Sequence, residues 1–249
     1  MTANIKPLLL NSLPDSFLLS GIFCELTMPK SRKTQERKEI IKTIENAARV
    51  YKDQLVGKTF LYVFDGRYIE VMFKAENFKH LTGVDSSLSA KRFLKLAVHN
   101  MLGENQISFS SRHPYALCKK KLGHITEIAS FASSESFMLE EISTNSFTYK
   151  FGTSDLNFTL CMGEDLDSYG IKKSRCFIAQ SLRDGDCFSK SKNVYVVSHI
   201  LMKKNDEKLY GEVCFLDKTV ASDPIPDFIR NRVSEVVLSK FSEAVVKVT

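Results

Sequence analysis

The sequence has no tryptophan, and it lacks the cysteine and histidine spacings that metal or disulfide sites require. Its six cysteines stand far apart, and no two of them form a Cys-x-x-Cys pair. Widely separated thiols in apolar runs are typical of reduced core residues in a cytosolic protein, not of a disulfide framework. None of the five histidines has a neighbour at metal-ligand spacing. We therefore predict neither a structural nor a catalytic metal.

Long hydrophobic runs are also missing. The most apolar N-terminal stretch, residues 7–24, is interrupted by Asn11, Pro14 and Asp15 and is too short to cross a bilayer. It also lacks the cationic start and the cleavage site of a secretory signal. The sequence thus predicts a cytoplasmic protein with no membrane partner.

The short signatures of several large enzyme classes are absent. The chain contains no P-loop, no GxGxxG after a strand, no HExxH and no GxSxG. These absences argue against P-loop enzymes, kinases, dinucleotide-binding enzymes and serine hydrolases. Nothing in the sequence requires a cofactor, and we predict none.

Positive charge is present in excess and is unevenly distributed. The formal net charge is +6. Residues 131–170 hold seven acidic side chains and one basic, so the rest of the chain carries about +12. A basic body favours a polyanionic partner such as nucleic acid, although solvated surface lysines would give the same total.

The first half of the chain shows helical periodicity, followed by one strong turn signal. Ile40, Ile44 and Tyr51 recur at helical spacing, and Gly57 is placed to end that helix. Residues 58–64 and 67–73 are rich in strand formers and flank an Asp-Gly pair, which tolerates the positive φ angles of a two-residue turn. The pattern predicts an antiparallel hairpin over residues 58–73.

The remaining elements predict an α+β fold. A turn or short helix is expected at residues 77–84, then helices over 90–101 and 114–132, the second with Leu117, Leu122, Ile125 and Ile128 facing inward. Strands are predicted over residues 137–142, 146–151, 157–162, 175–182, 194–202 and 209–216, and a closing helix over 226–246. Leading helices and a mostly antiparallel sheet define the α+β class. We expect an N-terminal extension over residues 1–35 and a single domain over residues 36–249.

The segment Phe-Lys-His-Leu-Thr-Gly, residues 78–83, places polar side chains directly after the hairpin. Lys79 could hold a phosphate, His80 could move a proton near neutral pH, and Thr82 could donate a hydrogen bond. The structural alternative is a capping threonine, a glycine stop and a histidine bonded to backbone.

Residues 57–84, with Gly-Lys-Thr-Phe-Leu-Tyr, Tyr-Ile-Glu-Val-Met-Phe and Asn-Phe-Lys-His-Leu-Thr-Gly-Val, resemble the opening of a family of bacterial and phage proteins. These are the barnase/EndoU/colicin/RelE-like nucleases of phages and mobile elements. Looser similarity continues through Tyr-Gly-Ile-Lys-Lys at 169–173, Gln-Ser-Leu at 180–182 and the strands of residues 194–210. The resemblance covers about residues 57–216.

That resemblance implies an RNase-like α+β fold with a curved sheet, and cleavage of RNA without a metal. In such a reaction the 2′-hydroxyl attacks the adjacent phosphorus and leaves a 2′,3′-cyclic phosphate. The reaction needs a base, an acid and cations that stabilise the added negative charge. Only His80 and Thr82 carry over from the family by motif.

Further site residues are predicted from their chemistry. Arg183 and Lys203 lie at strand ends and join His80 and Thr82 as the predicted catalytic set. The predicted substrate-binding residues are Lys79, Arg92, Lys119, Lys120, Lys121, Ser181 and His199. The structural alternatives are exposed charges on the helices, an ordinary turn after residue 182 and a hydrogen-bonded core imidazole at position 199.

Three functions remain open at this point. The first is an endoribonuclease that acts as a toxin or phage-conflict factor. The second is a non-catalytic module of the same fold that binds RNA or a protein partner, an antitoxin included. The third is a structural or inhibitory phage protein in which the acidic segment of residues 131–170 forms the partner surface.

Overall fold

The computed structural model describes residues 30–131, 134–144, 147–217, 219 and 225–246. Residues 1–29, most of the predicted extension, lie outside this part of the chain. The described helices are α1 (Lys30–Gln54), α2 (Asn77–Thr82), α3 (Ala90–Val98), α4 (Tyr115–Phe131), α5 (Asp227–Arg230) and α6 (Glu235–Val246). None of these helices combines the length and the apolar character that spanning a bilayer demands.

The strands described here form one sheet of nine. They are β1 (Lys58–Phe64), β2 (Arg67–Met72), β3 (Phe137–Ser143), β4 (Thr148–Ser154), β5 (Phe158–Leu166), β6 (Lys172–Asp184), β7 (Asn193–Val196), β8 (His199–Lys204) and β9 (Glu212–Leu216). Their order across the sheet is β7-β3-β4-β5-β6-β2-β1-β8-β9. Every neighbouring pair is antiparallel except β2 and β6. The predicted α+β class with a mostly antiparallel sheet is confirmed.

The predicted hairpin of β1 and β2 is confirmed. Phe64 pairs with Arg67 across the turn, and Asp65 and Gly66 adopt φ angles of 49° and 65°. Two successive positive φ angles match the right-handed twist of the flanking strands. The hairpin supplies the rigid base from which α2 emerges.

The sheet is strongly curled, which confirms the predicted curvature. Strand β7 lies at one edge beside β3, whereas β8 lies near the other edge beside β1. Only Val197 and Ser198 separate these two strands in sequence. The Val197 amide donates to the Ser136 carbonyl (3.1 Å), and the Ser198 amide donates to the Val63 carbonyl (2.8 Å). The prediction of one strand over residues 194–202 is wrong because its two halves pair with different neighbours.

The closing helix is also divided. The prediction of one helix over residues 226–246 is wrong because Val233 forms a β-bridge with Tyr210. The Tyr210 amide donates to the Arg232 carbonyl (2.8 Å), and the Ser234 amide donates to the Tyr210 carbonyl (3.0 Å). Pairing with an extended segment ends α5, and a new helix begins at Glu235.

The larger apolar core lies between helices α1 to α4 and the sheet. Tyr51 on α1 is fully buried, and its ring centre lies 6.1 Å from that of Phe73 and 5.1 Å from that of Phe78. On α4, Leu122, Ile125 and Ile128 are buried as predicted and Cys118 is buried with them, whereas Leu117, which was predicted to face inward, is 36% exposed. The predicted inward face of α4 is therefore confirmed except at Leu117, whose place is taken by Cys118.

An ion pair joins β2 to β3 across the curl. The Arg67 guanidinium donates two hydrogen bonds to the Glu140 carboxylate (3.1 and 3.0 Å), and its carbon lies 5.0 Å from the Phe64 ring centre and 4.9 Å from that of Tyr195. The hydrogen bonds from Arg67, with a further one from Asn193, lower the pKa of Glu140 to about 2.

We expect this carboxylate to make the fold sensitive to acid. Because the folded pKa lies below the unfolded one, the unfolded chain binds more protons between about pH 4.5 and pH 2. The stabilisation is complete above that window and is lost as the pH falls through it. The shift corresponds to roughly 3 kcal/mol. Denaturant unfolding from pH 7 to pH 3 should show more than half of this loss in the wild type and a flatter dependence in Glu140→Gln.

The neighbouring carboxylate provides the control for this measurement. Glu141 is exposed and pairs with Lys192 at 3.4 Å. Exposed ion pairs contribute about 0–1 kcal/mol, so Glu141→Gln should keep the acid sensitivity of the wild type. Equal curves for wild type and Glu140→Gln would show that the pair does not carry the effect.

Candidate functional site

Helix α2 holds His80 at the surface. Phe78 and Leu81 on this six-residue helix are fully buried and anchor it on the core, so the side chain of His80 is exposed on the opposite side. Gly83 ends the helix with a φ angle of 73°, a conformation that glycine adopts without a Cβ penalty. The short helix and its stop, both predicted, are confirmed.

Thr82 and Lys79 hold the loop that follows the helix. The Thr82 side chain is fully buried, and its hydroxyl donates to the Lys79 carbonyl (2.7 Å) and accepts from the Val84 amide (3.3 Å). The Lys79 ammonium donates to the carbonyls of Ser86 and Leu88, both at 2.7 Å. The Thr82 hydroxyl is thus committed to the backbone, and we do not place it among the groups that face substrate.

His80 opens into a cavity of about 390 Å³, here called the histidine cavity. Its lining includes Lys79, His80, Gly83, Asp85, Ser108 and His113. A β-bridge brings the distant segment here, because the Asp85 amide donates to the Ser108 carbonyl (3.1 Å) and the Ser108 amide returns a bond of 2.9 Å. The bridge places His113 opposite the end of α2.

His113 and Asp85 form a hydrogen-bonded pair in this cavity. The imidazole Nδ1 lies 2.7 Å from the carboxylate Oδ1 of Asp85. Hydrogen bonds from Ser110 and then from His113 lower the pKa of Asp85. An ionised carboxylate only accepts, so we assign the proton of this contact to Nδ1. The Nε2 atom of His113 is then the one that can exchange a proton with a ligand.

The environment of His80 favours its neutral form. Partial desolvation of the ring, and then the positive charges of Lys79, His113 and Lys121, lower its pKa below the usual 6.5. A histidine that is neutral at pH 7 can accept a proton. The cavity therefore holds one imidazole suited to act as a base and a second supported by a carboxylate.

Lys121 on α4 lies over Gly83, one of the residues that line the histidine cavity. A Cβ atom added to Gly83 would lie 2.8 Å from the Lys121 Cδ and 3.6 Å from its Nζ. Burial, and then the charge of Arg183, lower the pKa of Lys121. The fold thus places a partly desolvated cation near His80.

Gly83→Ala tests this close approach. A left-handed conformation costs an alanine about 1–2 kcal/mol, and the new methyl group would also displace the Lys121 chain. We expect a loss of that size in the free energy of unfolding. Gly123→Ala is the control, because this helical glycine has open space around it and should gain about 0.5–1 kcal/mol. Equal stability of Gly83→Ala and wild type would contradict the packing described.

A second cavity, of about 260 Å³, is here called the cationic cavity. Its charged and titratable lining consists of Lys120, Lys121, His124, Arg183, Asp184 and Lys190. Lys121 thus lines this cavity and also contacts Gly83 of the histidine cavity. Lys121 on α4 therefore lies near two other predicted residues, His80 on α2 and Arg183 at the end of β6.

Other predicted site residues lie elsewhere. Arg92 on α3 and Lys119 on α4 are exposed and line neither cavity. The Lys203 ammonium lies 5.0 Å from the Tyr210 ring centre and donates to the Lys208 carbonyl (3.3 Å). Ser181 is buried on β6, two residues before Arg183.

His199 belongs to the core beneath α6. It is 3% exposed, its Nδ1 lies 2.9 Å from the Ser198 hydroxyl, and its ring centre lies 5.7 Å from that of Phe241. Burial lowers its pKa. These contacts match the core alternative stated for this residue and keep it away from both cavities.

Sequence reasoning missed His113, Asp85, His124, Asp184 and Lys190. No spacing pattern connects His113 to the motif at residues 78–83, since only the bridge between Asp85 and Ser108 unites them. The sequence does contain one usable signal, which is that Asp85 follows the motif directly. Among the residues that the structure describes, no three His, Cys, Asp or Glu side chains are arranged to hold a metal ion.

The fold is α+β, with two histidines in one cavity and several cations in another. The chain belongs to the phage-Barnase-EndoU-ColicinE5/D-RelE like nuclease 4 family, whose model matches residues 43–219. The match runs from within α1 to just past β9 and includes every residue of both cavities. It confirms the resemblance found in the sequence. No curated protein and no solved structure matches the chain.

Proposed function

We propose that this protein is an endoribonuclease that cleaves RNA without a metal, by attack of the 2′-hydroxyl on the adjacent phosphorus. The observation that carries the proposal is the pairing of His80 with the His113–Asp85 pair in one cavity, next to Lys121. Membership of a nuclease family supports the reaction class. Proton transfer and charge stabilisation are the two things that transphosphorylation needs from a protein.

The environments of the two histidines support a different role for each. Neutral His80 removes the proton of the 2′-hydroxyl, because its lowered pKa keeps it unprotonated at pH 7. The 2′-oxygen bonds to phosphorus, and the bond from phosphorus to the 5′-oxygen breaks. His113, whose Nδ1 is hydrogen-bonded to the Asp85 carboxylate, gives the Nε2 proton to that leaving oxygen. The products are a 2′,3′-cyclic phosphate and a 5′-hydroxyl.

Lys121 has the third role in this proposal. Negative charge grows on the non-bridging oxygens as the 2′-oxygen approaches phosphorus. A positioned, partly desolvated ammonium stabilises that charge more strongly than a solvated one does. Lys79 lines the cavity, but its ammonium is committed to two backbone carbonyls, so we give it a supporting role.

The test is cleavage of mixed cellular RNA by the purified protein in EDTA. We expect products with 2′,3′-cyclic phosphate and 5′-hydroxyl ends, and no cleavage of a strand with a 2′-deoxy residue at the cleavage position. Loss of activity in EDTA, or 5′-phosphate ends, would refute the mechanism. Binding of RNA without any cleavage would instead favour the non-catalytic module.

We further propose that the activity serves phage–host conflict in the cytoplasm, as a toxin or a counter-host factor. The phage origin in the family description supports this role. Induced expression of the wild type should arrest growth and degrade RNA, whereas His80→Ala at equal protein level should do neither. A protein antitoxin would then be sought as a partner that relieves the arrest.

A further inference from the structure

The cationic cavity is lined by more positively charged side chains than its carboxylate can neutralise. Asp184 is the single carboxylate in its lining, and it is occupied by Lys120 (2.9 Å) and His124 (3.5 Å). Lys121, Arg183 and Lys190 form no ion pair with any carboxylate of the described chain. Three cations that face one cavity without an anion are a binding site for negative charge.

Arg183 is fixed within this cavity. Its Nη2 donates to the Tyr149 hydroxyl (3.2 Å), and its guanidinium carbon lies 5.7 Å from the Tyr149 ring centre. Its Nε is buried, and no hydrogen-bond partner for it is found among the described residues. A guanidinium held in this way is preorganised to bind phosphate oxygens through its remaining N–H groups.

Lys121 connects this cavity to the proposed reaction centre. Its chain rests on Gly83 of the histidine cavity, and its charge acts on both His80 and Arg183. Apolar walls are also present, because Leu117 and Leu182 line the cationic cavity and Leu117 is 36% exposed. A nucleotide presents a charged phosphate together with less polar ribose and base, which suits such a surface.

The geometry points to a second phosphate subsite, in which the cationic cavity binds the phosphodiester next to the one that is cleaved. This inference rests on the proposed function and names its substrate class as an RNA strand with at least two consecutive phosphates. Arg183 and Lys190 hold the second phosphate, while Lys121 lies between the two. Alignment of the strand by a second anchor would place the 2′-hydroxyl at His80.

The test measures binding of uncleavable 2′-deoxy oligonucleotides that carry either one phosphate or two. We expect the second phosphate, placed on one of the two sides, to tighten Kd about tenfold or more through charge-assisted hydrogen bonds. It should also steepen the dependence of log Kd on log salt by about 0.7 per contact. Arg183→Gln and Lys190→Gln, the second at an exposed lysine, should each reduce the gain in affinity and the added salt dependence that the second phosphate brings.

Lys192→Gln is the matched control for these variants. Lys192 is an exposed lysine two residues from Lys190, lies outside the cavity and pairs with Glu141 at 3.4 Å. The Lys192→Gln variant should gain as much affinity from the second phosphate as the wild type does. An equal loss in Lys192→Gln would show that general charge is responsible, and it would overturn the subsite. Equal affinity of the wild type for one-phosphate and two-phosphate strands would overturn it as well.

Cleavage of matched RNA strands separates this inference from the proposed function. The ratio of kcat/KM for the two-phosphate strand to that for the one-phosphate strand should fall toward one in Arg183→Gln. If the wild type binds the second phosphate but never cuts, the subsite stands and the ribonuclease proposal fails. If it cuts both strands equally well, the ribonuclease stands and the subsite fails.

Discussion

His80→Ala is expected to lower kcat/KM for RNA cleavage about 10²–10⁴-fold, the usual contribution of positioned proton transfer. The thermal midpoint should stay close to that of the wild type, because the His80 side chain is exposed and α2 is anchored by Phe78 and Leu81 instead. Single-turnover cleavage and a thermal melt on the same preparation measure both quantities.

His99→Ala is the matched control for this experiment. His99 is an exposed histidine at the end of α3 and lines neither cavity, so its removal should leave the rate unchanged. A His80→Ala protein that unfolds would make His80 a structural residue. A variant that folds and cuts RNA at the normal rate would remove His80 from the mechanism.

The pH profile gives a second readout of the same residue. The proposed base must be neutral, and its pKa lies below 6.5 because partial desolvation and the charges of Lys79, His113 and Lys121 oppose its protonation. The acid limb of kcat/KM should therefore lie below pH 6.5. Lys79→Gln removes one of these charges and should move that limb toward higher pH.

The hairpin and the motif helix could be predicted because each depends on local chemistry. Asp65 and Gly66 carry the turn through their own φ angles, and Gly83 ends α2 in the same way. Such features are fixed by a few neighbouring residues, so a single sequence reveals them. His80 was found for this reason, since its position follows from the hairpin and from the helix that comes after it.

The two wrong predictions of secondary structure share a different cause, which is pairing between segments that are distant in sequence. The segment of residues 194–202 shows the pattern of one strand, yet the edges of the curled sheet divide it at Val197 and Ser198. The β-bridge between Tyr210 and Val233 divides the closing helix in the same manner. Local pattern cannot report such contacts, because they depend on where the rest of the sheet goes.

The candidate site shows the same division between local and distant information. The type of a side chain made both Thr82 and Lys121 candidates, but only the packing distinguishes them. The Thr82 hydroxyl is satisfied by Lys79 and Val84, whereas the Lys121 side chain lies over Gly83 of the histidine cavity. The second imidazole, that of His113, is brought to the cavity by backbone pairing of Asp85 with Ser108. No sequence motif predicts this pairing.

His113→Ala should also reduce cleavage of RNA by about 10²–10⁴-fold, because it removes the proposed acid for the leaving oxygen. Asp85→Asn should have a smaller effect in the same direction. The amide carries no negative charge toward the ring, although its oxygen can still accept a hydrogen bond from Nδ1 over the 2.7 Å contact. Asp206→Asn, at an exposed carboxylate outside both cavities, should cut RNA at the normal rate.

A change of leaving group separates this catalytic role from a structural one. A nitrophenyl ester of a ribonucleoside 3′-phosphate releases a phenolate that needs no proton, so the acid becomes dispensable while the base does not. We expect His113→Ala to recover most of its activity on this ester, and His80→Ala to remain impaired. An equal loss on both substrates would mean that His113 only shapes the cavity. Recovery by His80→Ala in place of His113→Ala would exchange the two roles, so that His113 would be the base and His80 the acid.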